Sequence, residues 1–400
     1  MNMNMSMALK GVHVYLGIET DTGLPTNSEE LYNLEVFDGV IKRIEKSHSN
    51  ACGIWIAPGL LDVQVNGGGG AHFTDNPSID SIKNIIHTHQ KLGTTNLYPT
   101  MLSCSDQLML NAVDSLLECF RTGNDCGILG LHLEGPFFAP TRHGAHHTSY
   151  IRAYDQQLMN QIVDRIGGAF SLMVTLAPEL ITSDQIECLK TNKIILFGGH
   201  TEANTAEMQI ALKSGLDGVT HLHNAMPPMT GRNPGPIGVA LDSKKLYATI
   251  IADGFHVDPI HLRIAATMLG QRLLLISDAM APCGTNENKF DLDGRTVTHH
   301  DGRLLDERGV LCGTVVPLFT MVRRMHELGE VTFEHALAMA SRNVAKMLGI
   351  QDRFGTIASD RIADMIIGNI ENELVGVISN GKWIRCEKNI EEMLKKNDLR

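Results

Sequence analysis

Five short stretches of this chain end in side chains that bind metals or move protons. They are Leu131-His132-Leu133-Glu134-Gly135-Pro136, Gly198-Gly199-His200, Thr220-His221-Leu222-His223-Asn224, Asp253-Gly254-Phe255-His256 and Ser277-Asp278. One carboxylate and two imidazoles make a three-ligand site with a position left open for water, the common plan of catalytic zinc. A further carboxylate such as Asp278 could ligate the metal or act as the base toward a metal-bound water. A lone Glu or His after an apolar run is ordinarily structural. Several at corresponding points of consecutive units would each bury polarity that needs a partner. Together they point to one catalytic centre.

Within these stretches the assignments differ in strength. His221 and His223 are two residues apart, which places both on one face of a regular strand and leaves open whether one or both bind metal. His132 reads as a hydrogen-bonded core histidine. Asp278 ends the last of the stretches and reads as a ligand or general base in preference to a helix cap. An earlier apolar run ends in Gln64-Val65-Asn66, where many metal-dependent hydrolases carry His-x-His. Four glycines follow, at 67–70. They lack the Lys-Ser/Thr of a phosphate loop and read as a tight βα turn. Arg232 lies in the Pro/Gly-rich stretch PPMTGRNPGPIG, and its planar guanidinium suits a phosphate. The polar loop RHGAHH at 142–147 offers one histidine to a substrate.

Eight β-rich apolar runs carry these residues: 56–67, 93–101, 127–137, 170–179, 192–203, 217–226, 246–257 and 271–280. Continuous apolar runs suit parallel strands buried on both faces. Amphipathic stretches such as 80–92 and 204–214 lie between them, as right-handed βα units require. Eight units with chemistry at many strand ends predict an α/β fold of the closed (β/α)8 TIM-type barrel, in preference to an open doubly wound sheet. The barrel is expected over 58–347, with a β-hairpin insertion near 288–312. Both flanks, 1–57 and 348–400, read as β-structure with hairpin turns at Asp38-Gly39 and Asn380-Gly381. They are expected to pair into one small β-sandwich domain.

Bulk properties narrow the class. The chain has 400 residues, 43% hydrophobic and 20% charged, which suits a soluble globular protein. A net charge of −11 argues against nucleic-acid binding but permits a small anionic substrate met by local positive charge. The first residues lack the basic and apolar regions of a signal peptide, and no run reaches about 18 apolar residues, so a cytoplasmic protein without a membrane span is expected. The cysteines, Cys52, Cys104, Cys119, Cys126, Cys188, Cys283, Cys312 and Cys386, form no CxxC pair and read as reduced structural thiols.

The ordered motifs PGLLDVQVNGGGG, LHLEGPF, GGHTEA, THLHNAMPPMTGRNPG, IADGFHV and SDAM together resemble the N-acetylglucosamine-6-phosphate deacetylases of the amidohydrolase superfamily. The resemblance covers most of the barrel. It implies hydrolysis of the acetamide of N-acetylglucosamine 6-phosphate to glucosamine 6-phosphate and acetate. It implies Glu134, His200 and His221 as metal ligands, with His223 outside the set, and Asp278 as catalytic acid/base. Ala145, His146, Asn224, Ala225, Asp253 and His256 would contact substrate. Arg232 would bind the phosphate, reaching the neighbouring active site of a homodimer. With neutral amides at Gln64 and Asn66, one divalent ion per subunit is expected, Zn2+ first, with Fe2+, Co2+ or Mn2+ as alternatives. The two amides would hold the water on that ion. One segment departs from the family: where it has Gly-Thr-Leu-Ala-Gly-Ser, this chain has Gly313-Thr314-Val315-Val316-Pro317-Leu318, which is expected to alter the sugar pocket. Two other readings compete, an N-acetylgalactosamine-6-phosphate deacetylase and a non-catalytic sugar-phosphate-binding barrel. A dihydroorotase- or deaminase-like activity is disfavoured by the missing His-x-His.

Overall fold

The computed structural model describes residues 6–17, 30–48, 51–123, 127–388 and 390. Cys126 and the expected small-domain stretches at 1–5, 18–29, 49–50, 389 and 391–400 lie outside the described residues.

Each of the eight apolar runs contains a strand. They are Leu60–Val65, Thr94–Met101, Gly130–Glu134, Ser171–Leu176, Ile195–Gly198, Gly218–Val219, Tyr247–Ile250 and Leu273–Leu275. The strands are parallel and lie side by side in chain order. The circle closes just past the regular strands, where Val65 bridges Ala279, Asp278 N–H donates to Gln64 O at 3.1 Å and Asn66 N–H to Ala279 O at 2.9 Å. A closed barrel turns every strand's C-terminal end toward one mouth, which is why residues far apart in sequence meet there.

The intervening helices follow from local sequence. Ile79–Lys91 starts at Ser78, whose side chain accepts from Ser81 N, and it buries Ile82, Ile85, Ile86 and His89, one stripe at helical spacing. Thr205–Ser214 starts in a capping box between Asn204 and Glu207.

The seven-stranded sheet outside the barrel draws on both flanks, in the order Lys382–Cys386, Leu374–Ser379, Met365–Asn369, Ile54–Pro58, Ser6–Val14, Leu31–Phe37, Val40–Lys46. The expected sandwich is therefore two wings of one continuous sheet. Leu9, Tyr32, Leu34 and Ile41 of one wing share a core with Met365, Ile367 and Ile378 of the other. The turns at Asp38-Gly39 (φ 54° and 77°) and Asn380-Gly381 (φ 48° and 70°) have the paired positive φ of two-residue hairpins. Their tips meet so closely that a Cβ on Gly381 would lie 2.8 Å from Gly39 Cα.

After the eighth barrel strand, Lys289–Leu292, Arg295–His300 and Arg303–Leu305 form an antiparallel meander. Its Leu292, Val297 and Leu304 pack with Leu102, Met280 and Cys312 beside the barrel mouth. Residues 67–70 do not turn directly into a helix. Gly67–Gly68 pairs with Ala71–His72 around Gly69 (φ 63°) and Gly70 (φ 83°), giving a miniature hairpin before the first helix. A Cβ on Gly67 would fall 2.4 Å from Ala71 O and 2.8 Å from Ala281 N, so the turn and the close approach both call for glycine.

Candidate active site

Glu134 ends the third barrel strand, and His200 and His221 stand two residues beyond the fifth and sixth. Both histidines leave their strands with positive φ, 49° and 34°, which turns the rings into the mouth. Glu134 Oε1 lies 3.1 Å from His221 Nε2 and 3.3 Å from His200 Nε2, and the two Nε2 atoms are 3.1 Å apart. All three side chains are buried. His200 Nδ1 lies 2.7 Å from Arg142 O, a pure acceptor, so Nδ1 carries the hydrogen and Nε2 presents a lone pair. Phe138 stacks on the His200 ring at 4.2 Å and 15°. Burial would raise the Glu134 pKa, but the adjacent His200, His221 and His146 rings hold it well below the usual range. Burial lowers that of His221, and Glu134 more than offsets it. Three electron-rich atoms this close, on buried side chains, call for a cation between them.

Asp278 follows the eighth strand at φ 49°. Its Oδ1 accepts from Asn66 Nδ2 at 2.7 Å and Gln64 Nε2 at 3.2 Å. Gln64 Nε2 also donates to Glu134 Oε1 at 2.9 Å, so one amide ties the Glu134 carboxylate to Asp278. Gln64 Oε1 and Asn66 Oδ1 are buried without a partner. Burial, then the nearby charge of Glu134, raises the Asp278 pKa.

Two further histidines flank this core. His146 Nδ1 accepts from Ser103 N–H at 3.1 Å, so its hydrogen sits on Nε2, which lies 3.8 Å from Glu134 Oε2. Burial, followed by the proximity of His200, lowers its pKa to about 3, so the neutral ring offers an N–H donor. His256 Nδ1 is held 2.7 Å from Asp253 Oδ2, while Asp253 Oδ1 accepts the Phe255 and His256 amides at 2.9 Å. Asp253 thus orients His256 from behind.

A cavity of about 300 Å³ joins these groups. Asn66, Glu134, Ala145, His146, His200, His221, Asn224, Ala225, His256 and Asp278 line it, and Leu102, Met280, Val310, Leu311 and Cys312 form an apolar wall. Asp253 is not in the lining, and Arg232 is exposed on its loop, also outside it. His132 is buried between Thr100 (3.2 Å) and Thr175 (2.8 Å), with its pKa lowered by burial to about 4. The expectation that His221 and His223 share a strand face is overturned. The strand ends at Val219, and positive φ at both histidines (34° and 80°) swings His223 away to lie against His261, ring centroids 4.3 Å apart and tilted by 35°. The altered segment 315–318 supports the wall rather than forming it. Pro317 stands at the start of the helix Leu318–Leu328, where no amide donor is needed, and Leu318 is fully buried.

Sequence reasoning missed Phe138, the apolar wall and the side chain of Arg142. Only the RHGAHH stretch carried a signal for the last.

The amidohydrolase family profile matches residues 55–384. The chain is 31% identical over 376 residues to the N-acetylgalactosamine-6-phosphate deacetylase of Shewanella sp. (strain ANA-3), covering 90% of this chain and 92% of that one. It is 32% identical over 349 residues to the N-acetylglucosamine-6-phosphate deacetylase of Bacillus subtilis (strain 168), covering 84% and 86%. The crystal structure of N-acetylglucosamine-6-phosphate deacetylase from Pasteurella multocida superposes with a TM-score of 0.87 at 28% identity, covering 95% of this chain and 99% of that one.

Proposed function

The chain belongs to the amidohydrolase family, and we propose that it hydrolyses the acetamide of N-acetylglucosamine 6-phosphate to glucosamine 6-phosphate and acetate. One observation carries the reading: in a single cavity, the only Glu/His/His metal cluster among the described residues is joined through Gln64 to a half-buried acid, Asp278.

The donor set fits a divalent ion. Glu134, His200 and His221 would hold it, zinc first, with iron, cobalt or manganese as alternatives. Such an ion polarises the amide carbonyl and acidifies water. One ion per subunit is expected. The side-chain amides of Gln64 and Asn66 turn their NH2 groups to carboxylates, leaving one weak oxygen donor each where imidazoles would hold a second ion.

The chain's own residues handle the protons. Asp278, fixed by two amide donors, takes a proton from the attacking water and returns it to the departing amine nitrogen. The His146 Nε2–H is placed to donate to the substrate's carbonyl or a sugar hydroxyl. His256, braced by Asp253, orients the sugar. Asn224 and Ala225, which line the same cavity, contact the substrate.

A second reading is favoured by the Shewanella relative, which acts on the galactosamine epimer. Elemental analysis with acetate release from both epimers tests the reading. Acetate from the glucosamine substrate with the higher kcat/KM supports it, a galactosamine preference transfers the assignment to the epimer, and release from neither refutes it. Binding without turnover would favour the sugar-phosphate-binding barrel.

We also propose a cytoplasmic homodimer. Among the described residues no helix is long and apolar enough to cross a membrane, and no disulfide joins the described cysteines. Ile260 (58% exposed), Ile264 (40%) and Met268 (44%) form a stripe along the helix Pro259–Leu269, and Met229 (55%) lies three residues from Arg232. A second copy covering this face would let Arg232 serve its neighbour.

A further inference from the structure

Arg142 is the one Lys or Arg among the described residues that line the cavity. Other arginines near the mouth are engaged elsewhere. Arg295 donates to Ala145 O and faces Asp306, Arg324 donates to Asp253 O, and Arg303 lies over the Phe255 ring. Arg142 instead reaches over the rim to Glu202, with Nε 2.7 Å from Oε1 and Nη2 3.3 Å from Oε2. Thr141 Oγ1 donates to the same carboxylate at 2.9 Å. The pair is open to solvent, with side chains 31% and 42% exposed.

We propose that Arg142 anchors the substrate's phosphate from within the same chain, and that Glu202 holds its guanidinium on the rim until the anion arrives. The inference rests on the sugar-phosphate reading. A fork of five N–H donors suits a phosphate dianion better than the single carboxylate it would leave. Breaking a solvent-exposed pair costs little, so an anion entering the cavity can displace Glu202. The exchange leaves the metal cluster in place. The group that orients His200 is the Arg142 backbone carbonyl, and Ala139 N–H separately holds His200 O at 2.9 Å. Glu202 stays anchored meanwhile, because its amide donates to Glu179 Oε1 at 2.6 Å. Arg232, exposed outside the cavity, remains available to a neighbouring subunit, so the two arginines are independent contributors.

A structural clasp would also explain the pair, and opposite responses of its two partners distinguish the ideas. Glucose 6-phosphate, which has no amide to hydrolyse, is titrated calorimetrically into metal-loaded wild type, R142Q, R142K and E202Q, and metal content is measured for each. R142Q is expected to weaken binding by about tenfold to a hundredfold, the loss of a charge-assisted hydrogen bond. R142K, which keeps the charge without the fork, falls between. E202Q, which frees the guanidinium, strengthens binding severalfold. All keep wild-type metal content. Selectivity for N-acetylglucosamine 6-phosphate over N-acetylglucosamine should fall in R142Q by the same factor. Wild-type affinity in R142Q overturns the proposal, as does a parallel loss of binding and metal in R142Q and E202Q, which marks a clasp only. If no sugar phosphate is deacetylated, the parent reading fails while the titration still decides the role of Arg142.

Discussion

Asp62→Asn tests how the first and last barrel strands are joined behind the catalytic groups. Asp62 is fully buried; Oδ1 accepts from Gln64 N–H and Oδ2 from Ser277 N–H, each at 3.2 Å. Burial raises its pKa to about 7 from 3.8, against the opposing hydrogen bonds of Ser277 and Gln64. Between pH 3.8 and about 7 the folded chain keeps this proton while the unfolded chain releases it. The stability the group contributes is therefore fully present below the unfolded value and lost as pH rises to the folded one. A gap of roughly three pH units corresponds to about 4 kcal/mol, of which about 2–3 kcal/mol falls between pH 5 and 7. Asn does not titrate, and its NH2 would face an amide N–H, so D62N should be less stable overall. The informative quantity is the difference between wild type and D62N in urea unfolding, at fixed metal concentration, from pH 5 to 8. It should shrink by about 2–3 kcal/mol as pH rises and then level. A difference that stays constant or widens would falsify the protonated-carboxyl account and show Asp62 ionised in the fold.

The remaining predictions concern the site directly. Asp278→Asn should keep sugar-phosphate binding and lower kcat by about 10²–10⁴-fold or more, and a loss under tenfold would remove Asp278 from proton transfer. Phe138→Leu keeps apolar volume but loses the stack on His200, so metal affinity should fall about tenfold while stability falls by about 1 kcal/mol; chelator competition with unchanged affinity would mean that the Arg142 carbonyl alone orients the ring. Metal-replete protein should contain one ion per subunit, and two tightly held ions by elemental analysis would show that Gln64 and Asn66 ligate after all.

Much of the architecture was legible because its code is local. Eight apolar runs gave eight strands, and Asp38-Gly39 and Asn380-Gly381 gave two hairpins, since these patterns depend on the chain's own twist and φ preferences. The converging Glu134, His200, His221 and Asp278 were legible for a related reason: a barrel maps strand ends onto one mouth whatever their sequence separation. What failed depended on where a strand stops. The pairing of His221 with His223 assumed extended backbone to residue 223, whereas the ladder ends at Val219 and His221 already has φ 34°. The apolar wall was invisible for another reason. Val310 to Gly313 follow the inserted meander, and that segment reaches the cavity through long-range contacts: Leu292, Val297 and Leu304 pack against Leu102 and Met280, and Leu311 bridges Leu305.

The first strand shows how the two kinds of information combine. Gln64 and Asn66 alternate with Val63 and Val65, so period two alone turns both amides to one side. Their chemistry there depends on partners supplied by distant strands. Gln64 Nε2 reaches Glu134 from the third strand and Asp278 from the eighth, and Asn66 Nδ2 reaches Asp278. An imidazole at either place would exchange those donors for a lone pair or a single N–H. Asp278 Oδ1 would then lose a donor that fixes its direction, and Glu134 Oε1 would lose the neighbour that links it to Asp278. On the proposed roles Gln64 does more than weaken a second metal position: it links the Glu134 carboxylate to that of Asp278. Each amide keeps one buried oxygen without a partner, and Asn66 lines the cavity.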